Sequence, residues 1–363
     1  MEQKIKKQLR RLYAYKLFGN LSIAGAAWVL LLISQGFTIF EVGLFETVFH
    51  AVSLMAEIPS GMFADVFGRK KSLLLSCVCS IISSLVRILF VSFPGVCVSI
   101  AFSALTYNFA SGSDSAIAYD MLLENGKKDM YDGYISRQTI IYRVANGAAT
   151  LAAGLAVMLG NTKAQMISIG ISLVQIAIVA GIRENKVVTE NRDKALMTRI
   201  RECYKESFGF LKGNRKVAGL IFRNALVGAV DVLLLFFLQA KLPLAGVKDW
   251  VLGPLLFVMS IGGIVGAALS VKVKTWPIKR IFFLSFAIVS LGFMANFTGV
   301  AWMMTAGGFM AAFADDLIQI RSDVELNSLV PPAQRATLIS VSSWCFSVVM
   351  IIMSPLAGVI FSV

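Results

Sequence analysis

Hydrophobic residues in this chain come in long runs, and polar residues gather in the gaps between them. Eleven runs lie near 14–34, 38–61, 72–92, 95–119, 137–160, 163–182, 216–240, 250–271, 278–295, 298–318 and 336–362. Each is about as long as the roughly 20 residues that carry a helix across a bilayer. None shows the two-residue alternation of barrel strands, and an open sheet edge cannot sit in lipid. The pattern predicts an all-α polytopic membrane protein.

Composition narrows this further. Of the residues, 57% are hydrophobic and 15% charged, with mean hydropathy +0.75. Soluble domains carry about 25% charge, so most soluble enzymes are excluded. The net charge of +13 would suggest nucleic acid in a soluble chain. Here the bilayer is the expected partner and nucleic acid is not, because membrane proteins keep basic residues in their cytoplasmic loops.

The connections are of two kinds. Gln35–Thr38, Ser92–Gly95 and Asn296–Gly299 are short and nearly free of charge. The N-terminal arm, Gly68–Ser72, Glu124–Arg137, Arg183–Lys216, Lys272–Arg280 and Arg321–Arg335 hold 28 of the 34 basic residues. The two kinds alternate, which predicts a multi-pass cell-membrane protein with a cytoplasmic N-terminus. The basic first 16 residues precede an apolar run too long for a cleavable signal. Residues 183–215 form a basic linker between an N-terminal six-helix half (1–182) and a C-terminal five-helix half (216–363). In that linker Leu196, Ile200, Tyr204, Phe208 and Leu211 recur at helical spacing, predicting a helix lying at the membrane surface. Five cysteines are present, and Cys77 and Cys79 point to different sides of a helix, so neither metal binding nor disulfide pairing is expected.

The second run enters the first basic loop as Gly61-Met62-Phe63-Ala64-Asp65-Val66-Phe67-Gly68-Arg69-Lys70-Lys71-Ser72. Gly61 suits close helix packing, Gly68 suits a turn, and Arg69, Lys70 and Lys71 suit an anionic membrane surface. This G-x-x-x-D-x-x-G-R-K pattern, between the second and third helices, resembles the loop signature of the major facilitator superfamily of secondary transporters. The resemblance extends over the chain as six helices, a basic loop and a second set of helices. It implies two helical-bundle halves (six and five helices here, apparently without a twelfth) that alternate access to a central site. It also implies a conformational latch in which Asp65 meets the proline-rich entry of the eleventh helix, Pro331 to Thr337, with Arg335 as the cation. Asn108 stands where proton-coupled members commonly carry an arginine, and the fifth helix lacks the antiporter G-P pair. Both departures weigh against proton-driven drug efflux.

Ionisable groups inside a span cost roughly 2.5–3.5 kcal/mol and so are functional candidates. Glu46 and His50 lie four apart and share a helix face. Asp114 and Arg143 lie at similar depth and are expected to pair. Asp231, Asp315 and Asp316 are expected on the cavity wall of the second half. Arg87 and Glu41 stand near run ends, where snorkelling explains them.

The expected function is transmembrane movement of a small organic molecule, coupled to protons or another ion, by a chain acting as a monomer. Export of drug-like compounds, metabolite symport or uniport, and a truncated transport-inactive protein are the readings left open. No phosphate-cradling loop and no catalytic motif is present, so neither a cofactor nor enzymatic activity is expected.

Overall fold

The structure is a computed structural model. It describes residues 2–184, 212–329 and 335–362 and positions 198, 202, 205, 209 and 210, without the side chains at 2, 327, 328 and 335–340. The amphipathic linker positions and Pro331–Gln334 lie outside the described residues, as does the Arg335 side chain. Among the described residues there are helices and no strand.

The helices are α1 (Glu2–Gly19), α2 (Ile23–Ala26), α3 (Trp28–Ser34), α4 (Ile39–Phe67), α5 (Arg69–Leu89), α6 (Phe93–Ala110), α7 (Ser113–Glu124), α8 (Tyr131–Leu151), α9 (Ala153–Leu159) and α10 (Asn161–Ala180). After the linker come α11 (Arg215–Leu244), α12 (Asp249–Ser270), α13 (Ile278–Ala295), α14 (Ala301–Leu329) and α15 (Arg335–Ser362). All eleven apolar runs fall on helices, but not all as single rods. Among the described residues eight helical segments are long and apolar enough to cross a bilayer, or nine when α8 and α9, bent by 46°, are taken as one span. The first run is divided into α1, α2 and α3. The fourth is interrupted at Gly112, whose φ of +69° suits glycine, although α6 and α7 together still form one span.

Local chemistry sets the helix starts. Thr38 and Glu41 form a reciprocal cap on α4: Thr38 N donates to Glu41 Oε2 at 2.7 Å, and Glu41 N donates to Thr38 Oγ1 at 3.2 Å. Glu41 is therefore a capping residue, and snorkelling is not its role. Ser92 caps α6, which has proline in its first turn.

The chain resolves into two compact units. One comprises Met1–Ala26 and Met55–Ile200; the other comprises Ala27–Leu54 and Arg201–Val363. The first has a core of Leu12, Leu73, Leu122, Tyr134 and Ile182, all buried. Its helices are also joined by serines. Ser72 Oγ donates to Phe109 O at 2.7 Å, Ser76 Oγ donates to Thr106 O at 2.8 Å, and Ser80 meets Ser172 at 2.9 Å. Lipid supplies no hydrophobic drive between helices, so such bonds and close backbone approach hold them together. The second unit uses close approach. Gly262 and Gly266 of α12 lie so near the Phe309 and Phe313 carbonyls of α14 that a methyl at either would overlap backbone. Large apolar side chains face outward in both units, as with Met55 at 72% exposure and Trp250 at 68%. Long apolar helices with apolar outer faces make this a multi-pass membrane protein.

Candidate functional site

In the second unit, α4 contributes Glu46 and His50 one turn apart, both buried. His50 Nε2 lies 3.5 Å from Glu46 Oε2, and His50 Nδ1 lies 3.4 Å from Ser347 Oγ of α15. The imidazole stands edge-to-face against Phe49 at 5.2 Å and Phe346 at 5.6 Å.

The Phe346 ring reaches α11 at Gly228. A methyl there would meet Phe346 Cε2 at 3.5 Å and Asp315 Oδ1 of α14 at 3.2 Å, so Phe346 and the Asp315 carboxylate converge on one glycine. Asp231 lies one turn further along α11, within electrostatic reach of Asp315 and Asp316. Asp316 occupies space that Gly263 of α12 leaves open. One turn the other way, Asn224 Nδ2 donates to Gln319 Oε1 at 3.3 Å. The spacing explains this alignment. Asn224, Gly228 and Asp231 share one face of α11, and Asp315 and Gln319 share one face of α14. The Glu46–His50 pair thus meets Phe346, which shares Gly228 with Asp315, while Asp231 and Asp316 lie within electrostatic reach of Asp315.

The region is acidic. Asp231 and Asp315 make no ion pair among the described residues, and Asp315 Oδ1 is buried with no hydrogen-bond partner there. The basic residues next to it in sequence are turned elsewhere. The Arg223 guanidinium lies 5.6 Å from the centre of the Phe282 ring, and Arg321 Nη2 donates to Lys274 O at 2.9 Å. The carboxylates lie within electrostatic reach of one another. No group of three or more His, Cys, Asp or Glu among the described residues is arranged to hold a metal ion.

The first unit treats its charges differently. Asp114 Oδ2 accepts from Gln138 Nε2 at 2.5 Å and lies 3.6 Å from Lys16 Nζ, while Asp114 Oδ1 accepts from Ser115 N at 2.8 Å. Gln138 is held in turn by the Tyr134 hydroxyl at 3.2 Å. Lys16 and Gln138 thus supply the contacts expected of Arg143, which lies on the exposed face of α8. Asn108 is buried in α6 and has a partner.

At the signature loop, Gly68 adopts φ +103° and precedes α5. The Glu184 carboxylate covers the helix start, accepting from Arg69 N at 2.6 Å and Lys70 N at 2.9 Å. The Arg69 guanidinium binds Asp120, and Lys70 Nζ donates to Ala180 O at 2.8 Å. The loop's cations therefore tie down the ends of neighbouring helices as well as facing the surface. Asp65 is exposed. Gly61 does not serve close packing: it lies on an exposed face, and a methyl there would meet nothing within 4 Å.

The sequence reading missed several of these partners. Glu184 sits where the linker begins, Lys16 reads as one more cation of the basic arm, and Gln138 is a neutral amide. Ser347 and Phe346 are ordinary members of an apolar run. Gly228, three residues before Asp231, was not singled out either.

Neither a protein-family model nor a curated protein sequence matches the chain. Solved structures do. A mutant of the nucleoside transporter NupG superposes with a TM-score of 0.77 at 15% identity, over 99% of this chain and 96% of that one. A bacterial homologue of the human lysosomal transporter Spinster, inward-facing and unoccupied, gives 0.71 at 17% identity, over 96% and 81%. A D-xylose–proton symporter gives 0.67 at 13% identity, over 98% and 89%. These likenesses span nearly the whole chain and share the arrangement anticipated from the signature loop: the chain has the major facilitator fold.

Proposed function

We propose that this protein is a secondary transporter that moves a small polar organic molecule by alternating access, coupled to protons. The observation that carries this reading is the Asp231–Asp315–Asp316 group with its buried, unpartnered carboxylate oxygen and no ion pair to Asp231 or Asp315 among the described residues. Like-charged carboxylates in a dry setting share protons readily, and intramembrane acids serve as proton relays. Glu46 and His50 extend the titratable region past Phe346. On this reading Asp65 and Arg335 act as the latch, with the basic loops and the N-terminus in the cytoplasm of the cell that carries the protein.

The aromatic Phe346 beside the carboxylates and the Asn224–Gln319 amides favours a flat or ringed solute with hydrogen-bond donors. Nucleosides and sugars fit that description better than apolar drugs. The transporters of similar fold named for nucleosides and D-xylose support the same choice. Export of drug-like compounds is the second reading, favoured only by the apolar surroundings of the site.

The test is uptake into proteoliposomes under an imposed pH gradient, using a panel of radiolabelled nucleosides, pentoses, hexoses and cationic drugs. Accumulation of a nucleoside or sugar that collapses with a protonophore supports the proposal. Accumulation of none of the panel, or accumulation indifferent to the gradient, contradicts it.

A further inference from the structure

The first unit holds a cavity that the transport reading does not use. It lies at the end that carries the basic loops, among the first half of α1, α7 and the residues just after α10, and its volume is about 680 Å³. Sites for small organic ligands measure roughly 300–1,000 Å³, so the space suits a whole molecule and not a single ion.

Hydrogen bonds between its walls hold the cavity in shape. The Arg11 guanidinium donates to Gly181 O, and Arg183 N donates to Gln8 Oε1 at 3.3 Å, so α1 is tied to the segment that leaves α10. Glu184 is fixed by the Arg69 and Lys70 amides, and Asp120 by the Arg69 guanidinium. A site formed in advance loses less to ordering when a ligand arrives.

The charges around it are unevenly spent. Asp120, Glu124 and Glu184 line the cavity, and each is engaged: Asp120 and Glu184 as above, Glu124 by a partner of its own. Lys4, Lys7 and Arg183 line it too, and their side chains form no ion pair among the described residues. The positive-inside rule accounts for cations at this end of the unit, but not for their gathering around a cavity. Behind them lie Ile5 and Ile117, both buried, and Met121, which give the cavity an apolar wall. The rim residues Lys4, Lys7 and Arg183 are exposed, whereas no large hydrophobic side chain in the lining is. The cavity therefore opens to water and offers acyl chains nothing to lie over.

We propose that this cavity binds a water-soluble organic phosphate with a ring or other apolar body, of which a nucleoside diphosphate is the type. Lys4, Lys7 and the Arg183 fork meet the phosphate oxygens, and the ring lies on Ile5, Ile117 and Met121. The proposal does not rest on the transport reading.

The experiment uses the full-length protein in detergent, without magnesium, followed by thermal unfolding and isothermal titration. The probes are ADP, adenosine, inorganic phosphate, citrate and phosphatidylglycerol. Protein saturated with adenosine is expected to gain a further, saturable rise in Tm from ADP, whether or not adenosine itself binds elsewhere as a transported solute. Lys7→Gln combined with Arg183→Gln is expected to bind ADP at least roughly tenfold more weakly, as befits the loss of two charge-assisted contacts. Arg10→Gln combined with Lys71→Gln removes as much charge from exposed positions outside the cavity and should leave ADP binding unchanged. No ADP binding, or equal weakening by the two double variants, overturns the proposal. So does inorganic phosphate or citrate binding as tightly as ADP, or displacement of ADP by phosphatidylglycerol, which would make the ligand a simple anion or a lipid headgroup.

Discussion

Asp114 in the first unit and Asp315 in the second are both carboxylates withdrawn from bulk water, and their surroundings are opposite. Asp114 is held by an amide, a backbone N–H and a lysine, with a tyrosine behind the amide. Asp315 lies against Gly228 and within electrostatic reach of Asp231 and Asp316, and its Oδ1 has no hydrogen-bond partner among the described residues. A carboxylate enclosed by donors ties together the elements that supply them. A carboxylate facing other carboxylates can change its proton count at little structural cost. On the proposed reading Asp114 positions helices and Asp315 takes part in coupling.

The sharpest way to break the contrast is to neutralise each in turn. Asp315→Asn is expected to lower proton-driven accumulation by about two orders of magnitude, the range of a lost proton-transfer group, while Tm stays level or rises. Uptake assays and thermal unfolding on the same preparation check both halves. Removing the partner of Asp114 should do the reverse. Lys16→Met is expected to cost about 1–3 kcal/mol of stability, visible as a lower Tm, with the pH profile of transport unchanged. The double variant Lys16→Met with Asp114→Asn should recover part of that loss, as a coupled pair does. Smaller again is Glu184→Gln, which weakens the cover on the start of α5. It should cost about 1 kcal/mol, and more hydrogen exchange at the Arg69 and Lys70 amides would report it. Ser347→Ala, removing a contact to His50 that is long at 3.4 Å, should change stability by less than about 0.5 kcal/mol.

How much of this could be read in advance follows the range of each interaction. Apolar run length is a local property, so each apolar run was legible as helix, but α1 begins before the first run and α14 continues to Leu329 through residues read as a basic connection. The division of the fourth run was half legible, because Ser111-Gly112-Ser113-Asp114 carries turn chemistry at the break. The bend at Ala152 has no such signal, since alanine is the best of helix formers. Glu46 and His50 were legible as a pair by their four-residue spacing. Their meeting with Ser347, 297 positions away, was not, because a serine in an apolar run looks like any other small residue. Depth alone suggested Asp114 with Arg143, but depth does not say which face of α8 turns inward. The structure turns Gln138 in and Arg143 out. The same limit applies to Arg87, whose place near a helix end suggested an exposed tip and not a sealed guanidinium.

The measurement closest to the central claim is proton movement driven by solute. Proteoliposomes loaded with a pH-sensitive dye would receive the transported nucleoside or sugar with no imposed gradient. The expected result is a solute-dependent change in internal pH with the wild type and none with Asp315→Asn, although the variant still exchanges labelled for unlabelled solute. Solute-driven proton movement of wild-type size in Asp315→Asn would contradict the assignment of coupling to the second unit's carboxylates.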